Sequence, residues 1–378
     1  MTVKAEKKQL LRNNEYYDIQ QEYDELYYKS KNNESFYNLM SLITSDNNIE
    51  LAYRNIKANK GSTTPGTDGK TIKDIKPINR IELNQKIHNK FKNYNPKSVR
   101  RVEIPKPNGK TRPLGIPCIE DRLIQQCIKQ VLEPICEAKF HNHSYGFRPN
   151  RSTHHAIARA QFLINQNKLY YCVDIDIKGF FDNINHSKLI KQLWSMGIKD
   201  KSLLKILIKI LKSNVENMGK QDKGTPQGGI ISPLLSNIVL NELDWWISDQ
   251  WETFRTSHDY TRTFKKEGHS NNSNKYRALR KSKMKEMFIV RYADDFKIFC
   301  RDYKTAQRIY IAVKSWLKER LNLEISEEKS KITNVRKGKT EFLGFNLWAT
   351  NKGNKIVCNS NMTNKAKKQV KENIKKQI

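Results

Sequence analysis

Two spacings of apolar residues run along this chain and outline its elements. The first, with apolar residues three and four positions apart, is typical of amphipathic helices. It covers residues 36–58, 119–140, 152–167, 186–217 and the stretch that follows the glycine-rich turn 224–229 as far as Trp246. Thr44-Ser45-Asp46 and either Ser152 or Thr153 stand where helix caps are expected, and Gly197 breaks the fourth segment. These segments predict helices, and the charged residues 1–35 and the Lys-rich residues 352–378 are expected to add further helix.

The second spacing is a strict alternation, which is typical of strands. In Tyr171–Lys178 the alternation puts Val173 and its apolar neighbours on one face and Asp174 and Asp176 on the other. The segment therefore predicts a strand with one buried face and two carboxylates on the opposite face.

Two further segments predict β-hairpins. Arg100–Pro117 has apolar strands on both sides of Pro107-Asn108-Gly109, and Asn-Gly is a strong hairpin-turn signal. Phe288–Cys300 is an apolar run with Asp294-Asp295 at its middle. Adjacent carboxylates repel each other and suit neither strand nor core, so we expect a cation at this hairpin tip. A solvated Asp-Asp turn is the alternative.

The carboxylates of these two segments would form one site if their strands lie side by side. Mg²⁺ prefers oxygen ligands and often bridges to substrate phosphates. Two such ions about 4 Å apart can activate a 3′-hydroxyl and stabilise the leaving pyrophosphate. The pattern therefore suits nucleotidyl transfer, although alternation alone does not choose between Asp174 and Asp176.

The charge of the chain indicates a polyanionic partner. Its 378 residues include 70 Lys and Arg against 39 Asp and Glu, a net charge of +31. A solvated basic surface and an anionic membrane are the alternatives. No apolar stretch has transmembrane length, and the first residues lack the apolar core of a signal peptide.

Several other kinds of site are not indicated. The six cysteines form no C-x-x-C pair and read as reduced core residues, and the eight histidines lack zinc-ligand spacing. No G-x-S-x-G turn, P-loop or dinucleotide fingerprint occurs. A metal site is therefore expected to consist of carboxylates.

Seven motif blocks occur in the order found in reverse transcriptases. They are Ile104–Pro117, Ser144–Pro149, Val173–Asp182, Gly224–Leu235, Tyr292–Asp295, Leu323–Ser330 and Phe342–Phe345. The first two and the last two look like blocks of reverse transcriptases encoded by group II introns, which also serve as maturases. The chain resembles that family from about residue 50 to residue 346.

The resemblance implies an α+β right-hand polymerase, with helical fingers that carry a β-hairpin and a palm whose antiparallel β-sheet packs on helices. The expected divisions are an N-terminal extension at 1–80, fingers at 81–170, a palm at 171–347 with a basic insertion at 255–286, and the start of an incomplete thumb at 348–378. The loop at 60–69 would suit a lid over a phosphate backbone, with a plain connector as the alternative. The insertion, with ten Lys and Arg against three Asp and Glu, is either solvated or an RNA contact.

The resemblance also implies the metal ligands. The family's catalytic Asp is followed by four residues and then Phe-Asp, which selects Asp176 over Asp174. The catalytic carboxylates then carry over to Asp176, Asp294 and Asp295, with the backbone of Ile177 joining them around two Mg²⁺ ions. Asp182 lies at the end of the same block. We expect it to cap a helix that starts near Asn183, with a direct metal role as the alternative.

Nucleotide-binding residues follow from the same motifs. Arg100, Lys106 and Arg112 match basic positions that contact the incoming triphosphate, although such residues could instead be solvated charges of an edge strand. The other matching positions are Gln227 in the Pro226–Gly228 turn, Ala293 beside the Asp pair, and Lys329, which matches a palm lysine proposed to protonate pyrophosphate. Phe181 matches the aromatic residue that excludes a 2′-hydroxyl; core packing, as expected for Phe180, is its alternative.

The resemblance therefore implies an RNA-directed DNA polymerase of a group II intron, which uses Mg²⁺, an RNA template with a DNA primer, and dNTPs. It would also bind intron RNA and assist splicing. The alternatives are an RNA-binding splicing cofactor with an idle polymerase site, and another prokaryotic, retron-like reverse transcriptase. No membrane partner is expected, a homodimer is compatible with the sequence, and the expected location is the bacterial cytoplasm as a ribonucleoprotein, in preference to an organelle.

Overall fold

The computed structural model describes residues 12–75, 79–105, 111–260, 262–264 and 269–375. The chain divides into two compact units, each made of two segments. Unit 1 comprises the described parts of Met1–Phe140 and Phe181–Ile238, and unit 2 those of His141–Phe180 and Val239–Ile378. The fingers, palm and thumb boundaries expected from the sequence stay a prediction.

Helices form most of the regular structure of the described residues. They are α1 (Asn13–Tyr16), α2 (Gln20–Lys31), α3 (Met40–Ile43), α4 (Asp46–Ala58), α5 (Arg80–Lys92), α6 (Ile119–Glu137), α7 (Thr153–Asn165), α8 (Phe180–Asn183), α9 (His186–Ser195), α10 (Lys201–Leu211), α11 (Ser232–Asp249), α12 (Ser273–Arg280), α13 (Tyr303–Trp316) and α14 (Asn364–Lys375). Short 3₁₀ helices occupy Lys60–Thr63 and Ile72–Ile75, and a π-helical turn follows α13 at Leu317–Leu321.

The strands pair in antiparallel ladders. They are β1 (Arg100–Pro105), β2 (Thr111–Ile116), β3 (Tyr171–Ile175), β4 (Asn214–Val215), β5 (Gly219–Lys220), β6 (Arg262–Phe264), β7 (His269–Asn271), β8 (Met287–Tyr292), β9 (Asp295–Cys300), β10 (Lys331–Asn334), β11 (Thr340–Phe342), β12 (Phe345–Lys352) and β13 (Lys355–Met362). The hairpin expected at Arg100–Pro117 is present as β1 and β2, and its expected turn at 107–109 lies outside the described residues.

Unit 1 is built around α6, whose sequence is apolar enough for most of its length to be buried. Helices α2 to α5 pack against it. A polar group inside this core is fully satisfied: the Asn48 amide oxygen accepts from the Tyr23 hydroxyl at 2.7 Å and from Gln130 Nε2 at 2.7 Å. Since buried polar atoms without partners are costly, this network fixes how α2, α4 and α6 meet.

The helical segment expected over 186–217, with its break at Gly197, is two helices followed by a strand. Gly197, at φ +98°, separates α9 from α10, and α10 ends at Leu211. Asn214–Val215 then pairs with Gly219–Lys220. The predicted helix was therefore too long at its C-terminal end.

Unit 2 contains a four-stranded antiparallel sheet in the order β10-β3-β9-β8. Its central strands place Val173 opposite Ile298, both 0% exposed, and helices α7 and α13 pack on the sheet. The expected strand around Tyr171 and the expected apolar hairpin on either side of Asp294 are both present. The sequence predicted these strands, one from its alternation and two from an apolar run, because most of their buried residues are aliphatic or aromatic.

A second sheet, β11-β12-β13, was not expected from the sequence. Its strands carry many Asn and Lys residues, so the alternation of Ile356 and Cys358 with their neighbours is hard to recognise in the sequence. The helix expected from residue 352 begins only at Asn364. The prediction of helix for 352–362 was wrong, because these residues form most of the β12–β13 hairpin.

The expected α+β class, with antiparallel sheets packed on helices, is confirmed. All six cysteines are buried and free, as expected. None of the helices in the described part of the chain has the length and apolar character that crossing a membrane requires.

Candidate active site

The turn between β8 and β9 presents the adjacent carboxylates Asp294 and Asp295. Tyr292 pairs with Asp295, so two residues connect the strands. The first of them, Ala293, has φ +57°, a left-handed conformation that costs energy for a residue with a Cβ. Local contacts must therefore hold this turn in place.

Those contacts come from the segment that contains the Ser144–Pro149 motif. Tyr145 N donates to Arg291 O at 2.8 Å, and Arg291 N donates to the His143 carbonyl at 2.9 Å. A Cβ placed on Gly146 would lie 2.3 Å from Ala293 N. Only glycine allows this approach, so the motif serves as a backbone support for the turn.

The structure distinguishes Asp174, which lies in β3, from Asp176, which directly follows that strand. Asp174 forms an ion pair with Lys297, with 2.6 Å between Oδ2 and Nζ, and the Lys297 side chain is 1% exposed. Asp176 is 40% exposed, and its carboxylate lies 3.6 Å from the Lys329 ammonium. Asp174 is thus engaged as the counterion of a buried lysine, while Asp176 remains accessible to a ligand.

The backbone around Asp176 is fixed by the Leu323–Ser330 motif. Asp176 N donates to the Ser330 hydroxyl at 3.1 Å, and its carbonyl accepts from Ser326 N at 2.7 Å. Ile177 forms an antiparallel bridge with Ile325. These bonds hold the strand end that carries Asp176 and the backbone of Ile177.

One polar cavity of about 580 Å³ in unit 2 contains these groups. Its lining residues include Asp174, Asp176, Ile177, Asp294, Asp295, Lys329, Lys331, Glu341 and Lys365. The predicted metal ligands and Lys329 are therefore brought together, and lysines lie beside them.

The carboxylates of this cavity disfavour one another's ionisation. Burial, opposed by Lys297 and reinforced by the nearby charges of Asp174, Asp294 and Asp176, raises the pKa of Asp295 to about 6. Burial would lower the pKa of Lys297, but Cys172, Asp174 and Asp295 raise it overall. A cation among these groups would relieve the repulsion.

The donor set fits a hard divalent cation, because it consists of carboxylate and backbone oxygens without thiols or imidazoles. Across the described ranges, no three side chains of His, Cys, Asp or Glu are already gathered closely enough to hold an ion.

Unit 1 brings together two of the predicted nucleotide-binding residues. Arg112 Nε donates to Gln227 Oε1 at 2.9 Å, and Gly115 N donates to Gln227 O at 2.6 Å. Gly228, at φ +119°, lies so close that a Cβ on it would be 2.5 Å from Gly115 O. The glycine-rich turn is therefore docked on β2 and holds the Gln227 side chain beside Arg112.

The other predicted residues have different surroundings. Arg100 has a buried Nε without a hydrogen-bond partner among the described residues, and Lys106 lies outside them. Phe181 is half-buried, whereas Phe180 is 3% exposed and belongs to the core, as expected. Ala293 is 6% exposed, and its carbonyl accepts from Arg291 Nη1 at 2.8 Å.

The role expected for Asp182 as a helix cap was wrong. Asp182 is the third residue of α8, and the next helix, α9, is capped by Asn185, whose side chain accepts from Lys188 N. Asp182 instead lines a cavity of about 370 Å³ in unit 1, together with Lys223 and Gln227. Asn185 competes better for the cap because it directly precedes the helix.

Sequence reasoning missed Lys297 and Arg291. Each is a charged residue within an apolar strand, and each is almost completely buried against a carboxylate. A charge in such a run is the signal that could have identified them, since a buried charge needs a partner.

Comparison with known proteins identifies the family of the chain. The family model described as reverse transcriptase (RNA-dependent DNA polymerase) matches residues 104–347. Protein YkfC of Escherichia coli is 34% identical over 322 residues, which cover 82% of each chain. Group II intron-encoded protein LtrA of Lactococcus lactis is 35% identical over 330 residues, covering 79% of this chain and 54% of the relative.

A yeast relative, the putative COX1/OXI3 intron 1 protein of Saccharomyces cerevisiae, is 30% identical over 360 residues, covering 87% of this chain and 42% of the relative. The chain thus spans about half the length of these two intron-encoded relatives. The resemblance inferred from the motif blocks is confirmed. With its carboxylate hairpin and motif blocks inside the matched range, the chain belongs to the reverse transcriptase (RNA-dependent DNA polymerase) family.

Proposed function

We propose that this protein is the RNA-directed DNA polymerase of a group II intron, and that it also binds the intron RNA and assists its splicing. The observation that carries the proposal is the unit 2 cavity, in which Asp176, Asp294 and Asp295 face one space in a reverse transcriptase chain. The group II assignment draws on the relatives, one named a group II intron-encoded protein and another a maturase-like protein.

Members of this family generally use divalent metal ions. We assign two Mg²⁺ ions to Asp176, Asp294, Asp295 and the Ile177 carbonyl. Bound there, the ions would activate the primer 3′-hydroxyl and stabilise charge on the leaving pyrophosphate. Lys329, whose ammonium is 3.6 Å from Asp176, is suited to donate a proton to that pyrophosphate.

The remaining assignments concern the incoming dNTP. Arg112, oriented by Gln227, and Arg100, with its unpaired buried Nε, are suited to bind triphosphate oxygens. Lys106 is assigned the same role from the sequence motif alone. Phe181 is assigned to exclude a 2′-hydroxyl, and the Ala293 backbone to contact the nucleotide.

Primer extension on an RNA template with Mg²⁺ tests the polymerase assignment. The wild type should extend a DNA primer, and Asp294→Asn combined with Asp295→Asn should abolish extension while intron RNA is still bound. If the wild type binds intron RNA tightly yet extends nothing, the splicing-cofactor alternative is correct. A location in the bacterial cytoplasm, as a ribonucleoprotein with the intron RNA, is part of the same proposal.

A further inference from the structure

Helices α9 and α10 of unit 1 carry one sign of charge. Between Asn183 and Val215 the sequence has seven lysines and one acidic residue, Asp200. The lysines are Lys188, Lys191, Lys199, Lys201, Lys205, Lys209 and Lys212, and most of them are exposed. Asp200 is 4% exposed, and its single carboxylate is outnumbered by the seven lysines.

Two aromatic rings lie exposed on the same part of unit 1. Tyr37 is 67% exposed and Trp194 is 42% exposed. The Lys199 ammonium lies over both, 5.8 Å from the Tyr37 ring centroid and 6.0 Å from that of Trp194. We call these three residues, with Lys191, Lys201, Lys205 and Lys212, the α9–α10 face. Exposed rings beside lysines combine a stacking surface with a charge.

The backbone holds this face rigidly. Phe36 N donates to Gly197 O at 2.7 Å, and Lys199 N donates to Phe36 O at 2.8 Å, which aligns the Tyr37 segment with the turn after α9. Gly197 is required here, because a Cβ on it would lie 2.8 Å from the Glu34 carbonyl.

Asp200 completes the arrangement. One of its oxygens accepts from Leu39 N at 2.8 Å and Met40 N at 3.0 Å. The other accepts from two backbone N–H groups in the first turn of α10, at 2.9 and 3.1 Å. The buried acid thus ties the segment after Tyr37 to α10, so little backbone ordering would remain when a ligand binds.

We propose that the α9–α10 face binds unpaired RNA, whose bases stack on Tyr37 and Trp194 while its phosphates contact the lysines. The inference rests on the proposed function, which makes RNA the partner. A basic surface with exposed rings is the way proteins hold single strands, since every base has a face to stack. A second copy of this chain is disfavoured because two such faces would repel each other.

Fluorescence anisotropy with labelled poly(U) RNA tests the stacking. Unlabelled RNA template annealed to a DNA primer is present in saturating amount to occupy the polymerase site. Tyr37→Ala combined with Trp194→Ala should weaken poly(U) binding about fivefold or more, as expected for lost base stacking. It should change binding of a duplex RNA much less. The control Tyr303→Ala removes a ring that is 52% exposed in unit 2, and it should have no effect.

The salt dependence tests the lysines. Lys191→Gln with Lys205→Gln should lower the slope of log affinity against log salt by about 0.7 per lost contact. The control pair Lys304→Gln and Lys318→Gln, exposed in unit 2, should not change it. Equal effects of the two pairs, or unchanged poly(U) affinity in the ring variant, would overturn the proposal.

Two further measurements separate the alternatives. Binding to phosphatidylserine vesicles that is lost in the ring variant, with poly(U) binding unchanged, would assign the face to lipid and overturn the proposal. Primer extension by the ring variant should match the wild type, because none of its substitutions lies in the proposed catalytic machinery. If the wild type extends no primer but its poly(U) affinity depends on the rings, the polymerase assignment fails and this inference stands.

Discussion

The Arg291 guanidinium and the Asp244 carboxylate form an ion pair in which both side chains are 0% exposed. Arg291 Nε lies 2.7 Å and Nη2 lies 2.6 Å from the carboxylate oxygens, and Nη1 donates to Ala293 O at 2.8 Å. One guanidinium thus connects α11 to the strained turn that carries Asp294. The pair has no access to substrate from its buried position, so it positions the turn.

Breaking this pair should destabilise the protein strongly. Asp244→Ala leaves the Arg291 charge buried without its counterion, and we expect a loss of about 3–5 kcal/mol in the free energy of unfolding. Urea denaturation measures it. Glu242→Ala on the same helix is the matched control, because its ion pair with Arg320 is solvent-exposed and should be worth less than about 1 kcal/mol. Similar losses in the two variants would contradict the positioning role.

Substitutions of Asp174 in β3 and of Asp176 directly after it should have different effects. Asp176→Asn should reduce primer extension about a hundredfold or more, because a proposed metal ligand is lost. It should change the free energy of unfolding by less than about 1 kcal/mol, since the side chain is 40% exposed. Asp174→Ala should instead destabilise the protein by about 3 kcal/mol, because it leaves the buried Lys297 without its counterion. Primer extension and urea midpoints measured for both variants check this prediction. If Asp174→Ala mainly reduced extension and Asp176→Asn mainly reduced stability, the roles assigned to the two residues would be exchanged.

The sequence predicted those parts of the site whose signals lie within a short segment of the chain. The hairpin around Asp294 follows from one apolar run, the strand that ends just before Asp176 follows from local alternation, and the motif spacing selected Asp176. The pairing of Asp174 with Lys297 could not be derived, because it depends on the register of two strands far apart in the chain. Register is set by long-range packing that one sequence does not display.

The incorrect predictions also arise because long-range packing is not visible in one sequence. The 352–362 segment was expected to be helical from its lysines, yet its pairing in β12 and β13 outweighs that weak preference. Asp182 was expected as a cap on local chemistry, while Asn185 occupies that position three residues later. Local propensity decides only where tertiary contacts do not oppose it.

Acid should destabilise the protein through His186. This side chain is 5% exposed, and its Nε2 lies 2.7 Å from Gly224 O at the start of the glycine-rich turn. Burial lowers the pKa of His186 below its ordinary value, although the Gly224 bond opposes the shift. The stability it contributes is fully present above the unfolded-state pKa of about 6.5, and it is lost as pH falls through the lower folded pKa.

The matched variant is His186→Gln, which keeps a side-chain donor for Gly224 O and does not titrate. Its free energy of unfolding, from urea curves on both sides of about pH 6.5, should fall less with acid than that of the wild type. Part of the fall should persist, because burial also lowers the pKa of His141 in unit 2. His154→Gln, at an exposed position, should leave the wild-type dependence intact. If His186→Gln lost as much stability in acid as the wild type, His186 would not be a cause of the acid sensitivity.

Sugar selection should depend on Phe181. Its side chain is half-buried, and its backbone carbonyl accepts from Thr225 N at 2.8 Å, which ties it to the turn that holds Gln227. If its ring excludes a 2′-hydroxyl, Phe181→Val opens that space, and kcat/KM for ribonucleotides should rise relative to deoxynucleotides by about tenfold or more.

Single-nucleotide extension with matched dNTP and rNTP measures this ratio. Phe180→Leu is the control, because Phe180 is 3% exposed and its trimming should lower the free energy of unfolding by about 1 kcal/mol without changing the ratio. Unchanged sugar discrimination in Phe181→Val would leave Phe181 with a packing role alone. A changed ratio in both variants would show that loosened packing, and not the position of one ring, controls the choice of sugar.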